Sequence, residues 1–422
     1  MGIKSRLASV CLVLMALVAI TGAWADPVTV QWWNIGTAAN DKVMNQKFAD
    51  DYMKLHPDVR IEVTVLENEA FKSKLTTVMQ SGNPPDVFQT WGGGVLAEYA
   101  KAGLLKDITK DVKGTPWGAS MAQSIWDVYS ANGQVHAAAT DMGCVTFWYN
   151  KDLLAKVGYK SFPSNWDDFI VLVKKLKAAG ITPIAIAGGD KWPVMYYWSY
   201  LALRLGGGQL FVDTFSGKNA KGFSDDTFVK AAQMFADLGA LKPFQDGFLG
   251  ATYSDQAALM GNGQAAMELM GQWAPNVEKD NSSSKAGIGD TLGCAPFPAV
   301  KGGKGKVSDV MGGGGGYAVG KNAPAAAVDF LKFLTSKESE ITLAETDGAI
   351  VPVKGAELGI KDPNAKLVKA LVDNSTYYQL YLDQFLPPSA GGALNDQCQA
   401  IIAGTSTPAQ ACAAIQAAFA AK

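Results

Sequence analysis

Two periods of apolar residues divide the early part of the chain. Val28-Thr29-Val30-Gln31-Trp32-Trp33 alternates and reads as a strand. Between 41 and 56, Met44, Phe48, Tyr52 and Leu55 fall on one helical stripe, and Pro57 ends it. Val59, Ile61, Val63 and Val65 then alternate as a second strand. Phe71, Leu75, Val78 and Met79 make a second helical stripe, stopped by Gly82-Asn83-Pro84-Pro85. A third strand over 86–90 runs into Trp91-Gly92-Gly93-Gly94. Strand and helix in alternation predict βαβ units and a mostly parallel sheet. Ligands on such sheets sit beyond the carboxyl ends of the strands, where Trp33 and Trp91 fall.

The middle and end of the chain read as mainly helical. Helices are expected over 166–177, with Ser164 as N-cap, and over 195–205, 227–238 and 255–261. A glycine-rich stretch covers 302–316. A long helix is expected over 325–346, and closing helices over 365–371, 377–385, 393–403 and 408–421. No internal repeat is visible.

Composition changes the picture at the N-terminus. Lys4 and Arg6 precede an apolar run over 7–20, and Ala23-Trp24-Ala25 is a small-x-small cleavage site. Residues 1–25 therefore read as a signal peptide cleaved after Ala25, with release into the periplasm. Cys11 lies too early in that run to be a lipid-anchoring cysteine. What remains is about 400 residues, more than a single core usually supports, so two lobes are expected. The formal net charge is −2 and no basic stripe is present, which argues against nucleic acid. His56 and His136 are the only histidines and no C-x-x-C pair occurs, so no metal site and no cofactor are expected. Cys144, Cys294, Cys398 and Cys412 make an even set suited to an oxidising compartment. Cys398 with Cys412, on adjacent terminal helices, and Cys144 with Cys294 are the expected disulfides. Buried free thiols are the alternative.

Several segments, in order, resemble the sugar-binding proteins of ABC importers, the maltodextrin-binding-like group (solute-binding protein family 1). They are SGNPPDVFQTWGGG at 81–94, FWYNKDLL at 147–154, PSNWDDF at 163–169, GNGQAAMELMGQW at 261–273, GGGGYAV at 313–319 and QLYLDQ at 379–384, with GGALND following at 391–396. The resemblance covers essentially the whole chain beyond the leader. It implies a two-lobed periplasmic-binding-protein fold of type II, α/β, with mixed, mostly parallel sheets flanked by helices and three hinge crossings. Lobe one would be 26–138 plus 300–348, and lobe two 139–299 plus 349–422. The crossings would fall near 140–143, 292–298 and 350–353, which would put Cys144 and Cys294 on neighbouring hinge strands. The implied partners are a carbohydrate ligand and the transmembrane permease subunits, with a cytoplasmic ATPase behind them. The protein would act as a monomer and would not be an enzyme.

A sugar ring has apolar C–H faces and a hydroxyl rim, so its site needs flat aromatic surfaces and fixed polar groups. Among 11 tryptophans, Trp33, Trp91, Trp192, Trp198 and Trp273 fall where a cleft is expected, while Trp126 and Trp166 read as core. Gly92 and its neighbours let backbone approach a ligand. Glu67, Asn68, Asp141, Gln272 and Asp383 are the candidates for hydroxyl contacts, and Gly314 and Gly315 offer backbone N–H groups in the family reading. Gly315 to Lys321 has the skeleton of a phosphate loop, but Asn322 stands where the metal-binding hydroxyl belongs, so nucleotide binding is not expected. A glycoside-processing enzyme and a binding protein for a polyol phosphate or polyamine are the alternatives. The first needs two facing carboxylates, and a polyamine site more clustered acid.

Overall fold

The computed structural model describes residues 26–421; the expected signal peptide lies outside the described residues. The early strands and helices form as their periodicity dictates. Val28–Asn34 pairs in parallel with Val59–Val65 on one side and Val87–Thr90 on the other. Ala39–Leu55 packs Met44, Phe48 and Tyr52 inward, whereas Leu55, expected on the same stripe, is exposed. Asn68–Gln80 packs Phe71, Leu75 and Met79 inward.

The sheet is then completed from far along the chain. Gly316–Val319 inserts antiparallel between Val87–Thr90 and Ala137–Ala139, giving five strands. A second sheet of four strands has Thr146–Asn150 antiparallel to Leu292–Ala295 and Ala265–Met270, with Thr182–Ile184 parallel at its edge. A three-stranded sheet joins Asp309–Gly313 in parallel to Tyr377–Leu380 and antiparallel to Gly143–Cys144. Antiparallel pairs are therefore more frequent than the opening βαβ succession suggests. The chain leaves the five-stranded sheet between Ala139 and Gly143 and re-enters it between Gly313 and Gly316.

The second body is organised around Trp192–Phe215, a helix buried over most of its length and kinked at Gly207, whose φ is 71°. Arg204 on this helix is fully buried. Its guanidinium donates to the carbonyls of Asp309 at 2.7 Å, Phe297 at 3.0 Å and Val307 at 3.3 Å, and stacks on Tyr200 and Phe297. A buried cation is tolerable only with its donors satisfied in this way.

Several expected elements differ. The cap of Trp166–Ala178 is Asn165, not Ser164; its side chain accepts from the Asp168 N–H at 2.9 Å. The long helix over 325–346 is two, Ala325–Leu334 and Lys337–Asp347, because Ser336 caps a new start. The expected helix over 377–385 is a strand, Tyr377–Leu380, followed by the short helix Leu382–Phe385. The expected disulfides are not formed: Cys144, Cys294, Cys398 and Cys412 are buried free thiols. Cys294 donates to the Thr146 hydroxyl at 3.3 Å, and burial pushes the thiols of Cys294 and Cys412 up to about 12.

Candidate ligand cleft

The cleft lies where the two bodies face each other. Strand Val87–Thr90 delivers Trp91 to its carboxyl end, edge-on to Phe71 with ring centroids 6.2 Å apart. Gly92 follows with φ 73°, and a side chain there would strike the Val128 carbonyl; this glycine serves local packing. From the second body, Lys191 at φ 64° turns the chain into the long helix, placing Trp192 at its start. Trp192 lies 5.2 Å from Tyr253, 5.8 Å from Tyr196 and 6.4 Å from Trp273. Trp273 in turn lies 6.1 Å from Tyr381, and Tyr381 lies 6.0 Å from Tyr196. These five rings form one aromatic wall. Gly271 makes it possible: a Cβ there would sit 2.2 Å from the Trp273 ring.

The two walls come close. The Lys72 ammonium lies 5.6 Å from the centroid of Trp91 and 6.0 Å from that of Trp192, on opposite bodies. It pairs with Glu69 at 2.8 Å. Asp190 accepts the Tyr253 N–H at 2.7 Å, and burial raises its carboxyl; across the gap it senses the charges of Glu69, Glu67 and Lys72.

Four polar atoms on the candidate residues and on Asn395 are buried without partners: Asn68 Oδ1, Trp192 Nε1, Gln272 Oε1 and Asn395 Oδ1. Buried polar groups are normally satisfied, so each has hydrogen-bonding capacity to spare. Asn395 also donates to Asp383 at 3.3 Å, and Gln384 donates to the same carboxylate at 3.1 Å.

Asp141, in the segment that leaves the five-stranded sheet, ties Gln272 to the glycine run. Its carboxylate accepts from Gln272 Nε2 at 2.8 Å and from the Gly315 N–H. Burial pushes its carboxyl up to about 6. Gly314 and Gly315 offer their carbonyls to the Tyr129 hydroxyl at 3.1 and 3.2 Å. The expected donor at Gly315 is thus spent on Asp141 rather than left open to a ligand.

Not every expected residue reaches the cleft. Trp198 is fully buried among Phe223 and Phe228, and its indole N–H is spent on the Phe228 carbonyl at 3.2 Å; it belongs to the core. Glu67 is exposed and caps the helix Asn68–Gln80 through the N–H groups of Glu69 and Ala70. Trp33 is buried beneath the Lys74 ammonium, 4.4 Å from its centroid. Trp126 and Trp166 are buried as expected. Lys72, Asp190, Tyr253, Tyr381 and Asn395 were not singled out in the sequence. Tyr381 and Asn395 sit within segments that carried the resemblance, but the others have no local signature.

The rim has its own contacts. The Ala39 N–H donates to Asp280 at 2.5 Å, and Asn276 Nδ2 donates to the Asp347 carbonyl at 2.6 Å, both between the two bodies. Asp41 and Asp347 share a hydrogen bond beside Asp280, and burial followed by the Asp41 charge pushes the Asp347 carboxyl up to about 8. Among the described residues no group of three or more His, Cys, Asp or Glu side chains could hold a metal ion, and no helix is long and apolar enough to cross a membrane.

Two α/β bodies around an aromatic cleft define a two-lobed solute-binding protein. The chain belongs to the bacterial extracellular solute-binding protein family, whose model matches residues 36–341; this is a family of binding, not catalysis. A probable sugar-binding periplasmic protein of Mesorhizobium japonicum is 26% identical over 343 residues, covering 80% of this chain and 79% of that one. The multiple sugar-binding protein of Streptococcus mutans is 24% identical over 367 residues, covering 84% and 82%. A solved structure from work on xylan utilization by Caldanaerobius polysaccharolyticus superposes with a TM-score of 0.86 at 27% identity, covering 92% of this chain and 99% of that one.

Proposed function

We propose that this chain is the periplasmic capture subunit of an ABC importer and holds a mono- or oligosaccharide between its two bodies. One observation carries the reading: the aromatic wall of Trp192, Tyr196, Tyr253, Trp273 and Tyr381 faces Trp91, with unpartnered amide and indole atoms around it. Flat rings suit the C–H faces of a pyranose, and the unpartnered atoms suit its hydroxyls. The sugar-binding names of the relatives and the xylan context of the solved structure point the same way. Among the expected residues, Asn68, Trp91, Trp192, Gln272 and Trp273 are assigned to ligand contact, and Asp383 to orienting Asn395.

In this reading lobe one is built on the five-stranded sheet and lobe two on the other two large sheets. Closure in this reading turns on the backbone around 140–142, 314–315 and 350, where Met142 N–H donates to the Ile350 carbonyl at 2.6 Å; 314–315 replaces the crossing expected near 292–298, because Leu292–Ala295 pairs within the four-stranded sheet. The signal peptide is removed after Ala25, and the monomeric, sugar-loaded form docks on permease subunits driven by a cytoplasmic ATPase.

The test is titration calorimetry with intrinsic tryptophan fluorescence against neutral mono- and oligosaccharides. Trp273→Ala is expected to weaken the best ligand at least about tenfold while leaving the melting transition in place. A wild-type protein that takes up no sugar, or a variant that binds as tightly as wild type, overturns the reading.

A further inference from the structure

An ammonium set against indole faces, with a carboxylate in contact, is how proteins hold organic cations. This cleft contains that arrangement, and the cation in it belongs to the chain. Lys72 Nζ lies over Trp91 from its own body and over Trp192 from the other, and it touches Glu69 at 2.8 Å. Glu67 and Asp190 complete the electrostatic surroundings: the Asp190 carboxyl senses Glu69, Glu67 and Lys72 together. Glu69 is the carboxylate in contact with the ammonium, and Asp190 senses its charge. Without Lys72, two indole faces with Glu69 and Asp190 beside them would remain, a box fit for a protonated amine.

We propose that Lys72 is a specificity-determining residue that occupies this box and so excludes ammonium-bearing solutes, such as amino sugars and polyamines, from the cleft. The inference rests on the reading of this cleft as the solute site. Rejection by a built-in like charge is a common route to specificity, because a cleft rich in acid and indole would otherwise draw cations. Lys72 is well suited to the role. Its side chain is 28% exposed and flexible, so neutral hydroxyl ligands can push past it or bond to it, whereas a second ammonium meets its like charge and finds both indole faces already taken.

The experiment is calorimetry at about pH 6.5, with putrescine, glucosamine and N-acetylglucosamine titrated into the wild type, Lys72→Ala and Lys72→Arg. Lys72→Ala is expected to bind putrescine and glucosamine at least about tenfold more tightly than wild type does. N-acetylglucosamine, which has lost the charge, should show a smaller change. Lys72→Arg should exclude the amines as wild type does. Circular dichroism melting confirms that each variant is folded, and Lys72→Met serves as a second uncharged variant. No gain for amines in the uncharged variants overturns the proposal. So does an equal gain for N-acetylglucosamine, which would mean that bulk alone is at work, or an equal gain in Lys72→Arg. Because the gain is read on amines, it stands or falls separately from whether the wild type takes a neutral sugar.

Discussion

Glu268 and Glu278 are both fully buried and hydrogen-bonded to each other, with Gln256 donating to Glu268 at 2.8 Å. Burial raises both carboxyls, so the folded protein keeps a proton there that the unfolded chain releases above the ordinary glutamate range. Such groups contribute stability at low pH that is lost as pH rises. Glu278→Gln, which keeps a donor for Glu268, is expected to raise the melting temperature at pH 8 and to flatten its fall between pH 5 and pH 8; calorimetric scans at the two pH values check this. A different residue tests the aromatic wall. Gly271→Ala puts a methyl group into the Trp273 ring, so the indole must move, and ligand affinity is expected to fall about tenfold with a modest change in stability. Trp91, Trp192 and Trp273 stood out in the sequence as candidates because large aromatics at strand ends and near helix starts are conspicuous. It could not disclose that Trp198, six residues beyond Trp192, turns into the core. Position on a helix buried nearly all round is set by neighbours such as Phe223 and Phe228, not by local pattern.

Elements with a clean amphipathic period were legible, and those shaped by distant pairing were not. Ala39–Leu55 and Asn68–Gln80 each show a polar face to water, so their spacing announces them. Tyr377–Leu380 has no such face and becomes a strand because Asp309–Gly313 pairs with it residue by residue, from Asp309 with Tyr377 to Gly312 with Leu380. Gly312 and Gly313, read from sequence as part of a glycine-rich stretch, end that partner strand. Gly312 is needed because a Cβ would lie 2.1 Å from the Gly143 carbonyl. The break between Ala325–Leu334 and Lys337–Asp347 is local, and Ser336 is its signal: the hydroxyl accepts from the Ser339 N–H at 3.2 Å. Ser336→Ala is expected to cost about 1 kcal/mol in urea denaturation, and an unchanged midpoint would remove the cap from the explanation.

Across the whole molecule, the proposed closure would be coupled to protons at the rim. Asp280, from the second body, approaches Asp41 and Asp347 on the first, with Lys42 and Asp141 as the other charges in range. Asp41 and Asp347 hold a proton more firmly than ordinary carboxylates, and the Asp280 charge adds to this. In the proposed opening, loss of the Asp280 charge would lower both carboxyls, so the closed form would bind more protons than the open one. Ligand affinity is expected to fall as pH rises from 6 to 8, and Asp280→Asn to reduce that slope. Titration calorimetry of both proteins across this range checks it; identical slopes would show that Asp280 takes no part.

The insertion of Gly316–Val319 between Val87–Thr90 and Ala137–Ala139 also orders events during synthesis. A nascent chain that has reached residue 139 holds three parallel strands and a vacant lane where the antiparallel strand belongs, and Ala137–Ala139 has nothing in that sheet to pair with. Only when residue 319 emerges can the lane be filled. Until then that sheet stays incomplete, so its wiring makes closure of the lane a late, long-range step in folding.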